Sequence, residues 1–305
     1  MKSTVTPPKV TRRRALAASA AMAVANWVPV PGPAQLQKAR DATVRDRLWL
    51  FACPTNSDYP ALGQRSVMSP AEGTYYLDVP NLIIVQASAE EARYGRFEPP
   101  FAQYAIALRP LKRVVWSVVG SGGFTTEAER REGIQLAIQT PNFVGVMLDD
   151  FFTDQKEGKR AVLTIEELAD IRQQLKDSGK KLDIFVTLYT RHLDHPLEDY
   201  LRLIDVVTMW AWEPAELTNI ESNLKKMERL APHARKMLGC YLVDYTAKRS
   251  TPVSAMKLQC ETGLGLLQQK RIEGMNFLGN TTMDLDFEAV EWTREWIKRV
   301  GETEL

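Results

Sequence analysis

The sequence predicts an α/β fold, a closed (β/α)8 TIM barrel forming a single domain after an N-terminal leader. Three observations predict it. Eight short apolar runs begin at residues 47, 82, 113, 144, 182, 206, 237 and 275. They alternate little with polar residues, the pattern of strands buried on both faces in a parallel sheet. Helical signals fill most of the intervals, and eight such units in about 260 residues match the ~250 typical of this barrel.

The expected strands are Arg47–Ala52, Leu82–Ala87, Arg113–Val119, Val144–Asp149, Leu182–Tyr189, Val206–Trp212, Met237–Asp244 and Met275–Gly279. A helix opens at Thr125-Thr126-Glu127 and runs to Gln139, ahead of Pro141. The next carries a capping box, Thr164 as cap and Glu167 at the third helical position, and stops near Ser178-Gly179. Further amphipathic runs cover Leu197–Ile204, Leu217–Leu230, Ser254–Gln269 and Phe287–Val300. An open doubly wound sheet is the competing architecture. Its Gly-rich fingerprint is missing after the first strand, where Cys53-Pro54-Thr55-Asn56 stands instead. Gly120-Ser121-Gly122-Gly123 lacks the Lys-Ser/Thr of a phosphate loop and reads as a βα loop beside a ligand site. No cofactor is expected.

Residues 1–34 read as a leader and linker outside the barrel domain, 35–305. Adjacent arginines in Thr11-Arg12-Arg13-Arg14 precede the apolar run Ala15–Val30, with small residues at Ala23-Val24-Ala25 and a Pro-rich stretch to Pro33. That three-part layout is a secretory signal, and it resembles a bacterial twin-arginine signal. The alternative is a frayed basic terminus with one Ala-rich helix. Export by the twin-arginine machinery implies a periplasmic or secreted protein. No other stretch reaches the ~18 apolar residues of a membrane span. The 39 Lys+Arg against 38 Asp+Glu give no basic excess, so no nucleic-acid partner is expected. Cys53, Cys240 and Cys260 allow at most one intramolecular disulfide. Cys53 and Cys240 lie in strand-like runs and read as small buried hydrophobes.

Barrel chemistry sits at the C-terminal strand ends, which turns the topology into a residue list. Asp149 and Asp150 close the otherwise apolar fourth strand, where charge is costly unless solvated, paired or used. By strand alternation one faces the axis and the other the neighbouring helices. Thr208, Trp210 and Trp212 share a face of the sixth strand, with Glu213 just beyond and Asp244 closing the seventh. The expected catalytic groups are Asp149 or Asp150 as nucleophile or base, with Glu213 or Asp244 as general acid. Tyr189, Arg191, Trp210, Trp212, Tyr245 and Asn280 are the expected substrate contacts. Each also has a structural reading: a carboxylate capping a loop, an indole filling the barrel. His192 and His195 are spaced for one side of a helical turn, but Pro196 disfavours helix there, and no metal site is assigned.

With these residues placed, the chain looks like a carbohydrate-active barrel of the glycoside-hydrolase type over residues 45–300. It lacks the Asp-x-x-Asp-x-Asp-x-Glu run of the chitinase-like barrels, and no Asn-Glu pair ends the fourth strand. Barrels with an Asp on strand 4 and a carboxylate on strand 6 are the nearest pattern, through Asp149 or Asp150 with Glu213. Leu238-Gly239-Cys240-Tyr241, Gln259-Cys260-Glu261, Arg271-Ile272-Glu273-Gly274 and Ala289-Val290-Glu291-Trp292-Thr293-Arg294 resemble segments of bacterial twin-arginine-exported proteins. The barrel resemblance implies a glycoside hydrolase or a related sugar-active enzyme with a carbohydrate substrate, while the likeness to the exported proteins implies export and no particular chemistry. A glycan-binding barrel without catalysis and a metal-assisted sugar isomerase or lyase are the alternatives.

Overall fold

The computed structural model describes residues 42–88, 93–154 and 158–305. The expected leader, residues 1–34, lies outside the described residues. Eight parallel strands close into a barrel: β1 Leu48–Ala52, β2 Asn81–Ile84, β3 Arg113–Val119, β4 Phe143–Leu148, β5 Asp183–Tyr189, β6 Val206–Trp210, β7 Arg235–Tyr241 and β10 Gly274–Leu278. Each pairs with its sequence neighbour along the barrel, and β1 pairs with β10 to close the ring. Two short strands, β8 Val243–Asp244 and β9 Arg249–Ser250, form a separate antiparallel hairpin. The expected seventh strand therefore divides at Leu242, and its last residues leave the barrel.

The helices follow the expected order. They are α1 Tyr59–Leu62, α2 Pro70–Leu77, α3 Ala102–Leu108, α4 Glu127–Gln139, α5 Ile165–Asp177, α6 Glu198–Leu201, α7 Ile220–Leu230, α8 Val253–Gln268 and α9 Glu288–Val300. The capping box of α5 forms in both directions. Glu167 N–H donates to Thr164 Oγ1 at 3.2 Å, and Thr164 N–H donates to Glu167 Oε2 at 2.9 Å. The helix expected over Leu197–Ile204 contracts to the four residues of α6. Beyond them Leu203 and Ile204 bond three residues back, to Tyr200 and Leu201. The first residues of the expected 217–230 helix lie in a 3-10 turn, Pro214–Asn219.

Period-two alternation splits the side chains into two cores even where the strand sequence is uniformly apolar. Leu48, Leu50 and Ala52 of β1 face the helices, while Trp49 and Phe51 face the lumen. The lumen is filled by Trp49, Phe51, Ile83, Val85, Val115, Met147, Phe185, Tyr189, Val206, Trp210, Met237 and Tyr241. Cys240 and Cys260 are buried, unbridged thiols of the outer core, and burial pushes both up from the usual thiol range. Among the described residues no helix is long and apolar enough to cross a membrane.

One close approach fixes how the lumen is filled. A Cβ at Gly239 on β7 would lie 2.1 Å from the Trp210 indole of β6, so the missing side chain is the space that Trp210 occupies. Gly239→Ala forces the indole out of its seat. We expect it to lower stability by about 1–3 kcal/mol, read as a drop in the urea midpoint with an altered near-UV signal from tryptophan.

Candidate functional site

The C-terminal mouth of the barrel gathers the chemistry. Asp149 follows β4 and is buried, and Thr187 of β5 donates its hydroxyl to Oδ1 at 2.8 Å. Asp150 is the more accessible of the two. Alternation expects one of the two carboxylates to face the neighbouring helices, and the structure corrects this, since Asp150 as well as Asp149 is held at the mouth. The Asp150 φ of +43° is left-handed, a conformation that Asp tolerates better than most residues. The turn swings the carboxylate back to the mouth. There Tyr189 Oη donates to Oδ1 at 2.6 Å and Gly122 N–H donates to Oδ2 at 2.7 Å. Gly122 has φ +65°, so the Gly-rich loop after β3 presents an amide to a carboxylate of the protein itself.

From Asp150 an arc of rings crosses the mouth. Tyr189 meets Trp212 edge-on with centroids 6.0 Å apart, and Trp212 stands 5.7 Å from Tyr241. Trp212 and Tyr245 are stacked, 5.9 Å apart and inclined by 20°. Tyr245 Oη then donates to Asp58 Oδ2 at 3.3 Å, and Thr281 donates its hydroxyl to the same oxygen. Carboxylates thus bound the arc at both ends, Asp150 after β4 and Asp58 in the loop after β1. Trp212 is 41% exposed, whereas Tyr189 and Tyr241 are 8% and 7% exposed. The rings form a shallow floor with one indole standing proud.

The other expected residues have different settings. Trp210 lies below the arc, 1% exposed and 4.8 Å from Tyr241, and it fills the lumen without reaching the surface. Glu213 is exposed beyond Trp212, and its backbone N–H donates to Glu216. Asp244 is buried and accepts Ala247 N–H at 3.0 Å, which closes the β8–β9 turn. Asn280 spends its amide on the backbone: it accepts from Cys53 N–H at 2.9 Å and donates to Met68 O at 2.7 Å. Arg191 lies over the Tyr189 ring at 4.2 Å and pairs with Asp154 at 3.2 Å. His192 bonds the same Asp154 oxygen at 3.0 Å, and its ring is 5.3 Å from that of His195. Burial pushes His192 below the usual histidine range, and hydrogen bonds from His192 and Arg191 pull the Asp154 carboxyl down. Among the described residues no group of three or more His, Cys, Asp or Glu is placed to hold a metal ion.

Asp58 and Tyr241 are the residues that the sequence reasoning left out of the site. Their signal was position alone: Asp58 lies in the first strand-end loop, and Tyr241 has the lumen parity of Met237. The opposite face of the barrel is stitched by ion pairs. A cavity of about 600 Å3 on that face is lined by residues that include Arg47, Arg235, Lys236, Arg271 and Glu273. Arg235 pairs with Asp183 at 2.6 Å and with Glu273 at 3.3 Å, which suits the stabilising role of that end.

No protein-family model matches the chain, and no curated protein matches it in sequence. Solved structures do match. A Bacteroides thetaiotaomicron protein assigned as an alpha-L-fucosidase superposes with a TM-score of 0.54 at 9% identity, over 90% of this chain and 100% of its own. The glycoside hydrolase domain of PgaB (BpsB) from Bordetella bronchiseptica gives 0.50 at 11% identity, over 84% and 99%. A family GH18 chitinase from Cycas revoluta gives 0.51 at 12% identity, over 82% and 99%. At these identities the likeness is one of fold, a (β/α)8 barrel of the kind seen in glycoside hydrolases.

Burial is the first cause raising the phenols of Tyr189, Tyr241 and Tyr245, and nearby carboxylates add to it. A folded-state value above the unfolded one means the contribution to stability is complete below pH ~10 and lost above it, as the unfolded chain ionises first. Of the nine tyrosines, these three should ionise only with unfolding. Absorbance titration at alkaline pH checks this, with a late, cooperative step as the expected outcome.

Proposed function

We propose that the protein is an exported carbohydrate-active enzyme, a glycoside hydrolase working at the C-terminal mouth. The observation that carries this reading is the aromatic arc ending in a carboxylate on each side, Asp150 and Asp58. Ring faces match the apolar C–H faces of a sugar, and glycosidic cleavage by the usual route needs two carboxyl groups flanking the bond. Trp212, exposed and backed by Tyr245, is the platform. Asp150, the accessible carboxylate, is the nucleophile or base, and Asp149 lies beneath it. Asp58 or Glu213 supplies the proton to the leaving oxygen, since Asp244 is engaged in its hairpin turn. Holding both reacting groups against a stacked ring converts binding into orientation.

Product mass spectrometry on a broad oligosaccharide panel tests the reading. Shortened glycans that have gained one water are expected from the unaltered protein, with turnover reduced about 10³-fold or more in Asp150→Asn. Full activity in Asp150→Asn, Asp58→Asn and Glu213→Gln together would sink it. A second reading, glycan binding without cleavage, is favoured by the hydroxyl or amide donors that already reach Asp149, Asp150 and Asp58. It predicts affinity that survives the Asp→Asn changes and falls about tenfold in Trp212→Ala.

The proposal includes export. Residues 1–34 fused to a reporter should deliver it across the bacterial inner membrane, and Arg12→Lys with Arg13→Lys should retain it in the cytoplasm. Equal delivery by both fusions would remove the twin-arginine route.

A further inference from the structure

We infer that Tyr189 is the positioning residue of Asp150: its hydroxyl, with the Gly122 amide, holds the carboxylate toward the mouth. The inference rests on the hydrolase reading of that site.

Asp150 needs outside help to stay where it is. A left-handed φ of +43° carries a backbone cost even for Asp, and contacts on the side chain help to hold it. Two donors do so, one on each oxygen: Tyr189 Oη at 2.6 Å and Gly122 N–H at 2.7 Å. The Gly122 contact comes from a loop and the Tyr189 contact from a barrel strand, so the phenol is the rigid member of the pair.

The competing role for Tyr189 is a stacking platform for sugar, and its surroundings argue against it. The Arg191 guanidinium lies over the ring at 4.2 Å. Trp212 and His192 meet it edge-on at 6.0 and 5.9 Å. With 8% of its surface exposed, the ring offers no open face to a ligand. What remains is the hydroxyl, and it points at Asp150. The charged and titratable groups around the pair are Asp149 after β4, Tyr241 of β7, Arg191 and His192 after β5, and Asp154, which binds Arg191 and His192. The Arg191 guanidinium over the ring is a cation–π contact that helps to seat the phenol.

The test compares Tyr189→Phe, which removes only the hydroxyl, with Asp150→Asn and the unaltered full chain. Kinetics on a panel of 4-nitrophenyl glycosides should show kcat down about 10- to 100-fold in Tyr189→Phe with KM within twofold. An unchanged kcat, or a change confined to KM, overturns the inference. A second readout needs no turnover. The hydrogen-bonded Tyr189 hydroxyl should give a downfield proton resonance in the unaltered protein, absent in Tyr189→Phe and moved in Asp150→Asn. If Asp150→Asn leaves that resonance in place, the pairing is wrong whatever the activity. Full activity in Asp150→Asn with the resonance moved would instead remove the hydrolase reading and leave the pairing standing.

Discussion

A parallel sheet closed on itself has to fill its own lumen, and this barrel fills it with rings. Void space inside a protein forfeits contact on every side, so the inward positions of eight strands must interlock. Trp49, Phe51, Phe185, Tyr189, Trp210 and Tyr241 do most of that filling. The scheme works because β7 carries no side chain at Gly239, where the Trp210 indole sits. With Trp210 seated below Tyr241, the upper rings have a floor, and the mouth is shallow because the same residues that stabilise the barrel also end it.

That packing sets the electrostatics above it. Carboxylates at the end of an apolar lumen are costly unless donors reach them. Thr187 meets Asp149, Tyr189 and Gly122 meet Asp150, and Thr281 and Tyr245 meet Asp58. The donors are hydroxyls and an amide, each held by a strand or a strand-end loop. At the other end both signs are paired, with Arg235 bridging Asp183 and Glu273. One end of the barrel is therefore closed by ion pairs, while the other presents carboxylates among rings.

The β4–α5 segment is tied to this mouth through Asp154. Its carboxylate binds Arg191 and His192 together, and Arg191 covers Tyr189. The contact series runs from a surface loop through a cation and a phenol to Asp150. Each link is short and local, so the orientation of one carboxylate depends on residues from three strand-end loops.

By itself the sequence determined the positions of the eight barrel strands, the α5 capping box and the list of strand ends at which to look. These follow from short-range rules: strand periodicity, caps such as Thr164, and the apolar run that ends at Asp149. The tertiary structure alone decided the composition of the site. Asp58 and Asp150 flank one arc only because the barrel closes through β1 and β10. Asp150 turns to the mouth through a single backbone angle that strand alternation does not encode. Asp244 and Asn280 have the residue types of a site, yet their polar atoms are taken up by nearby backbone. Tyr189 has the residue type of a platform, yet a guanidinium covers its face. Residue type and periodicity are local properties, whereas what a side chain meets depends on register, closure and one φ angle, all of which are settled between segments far apart in the chain.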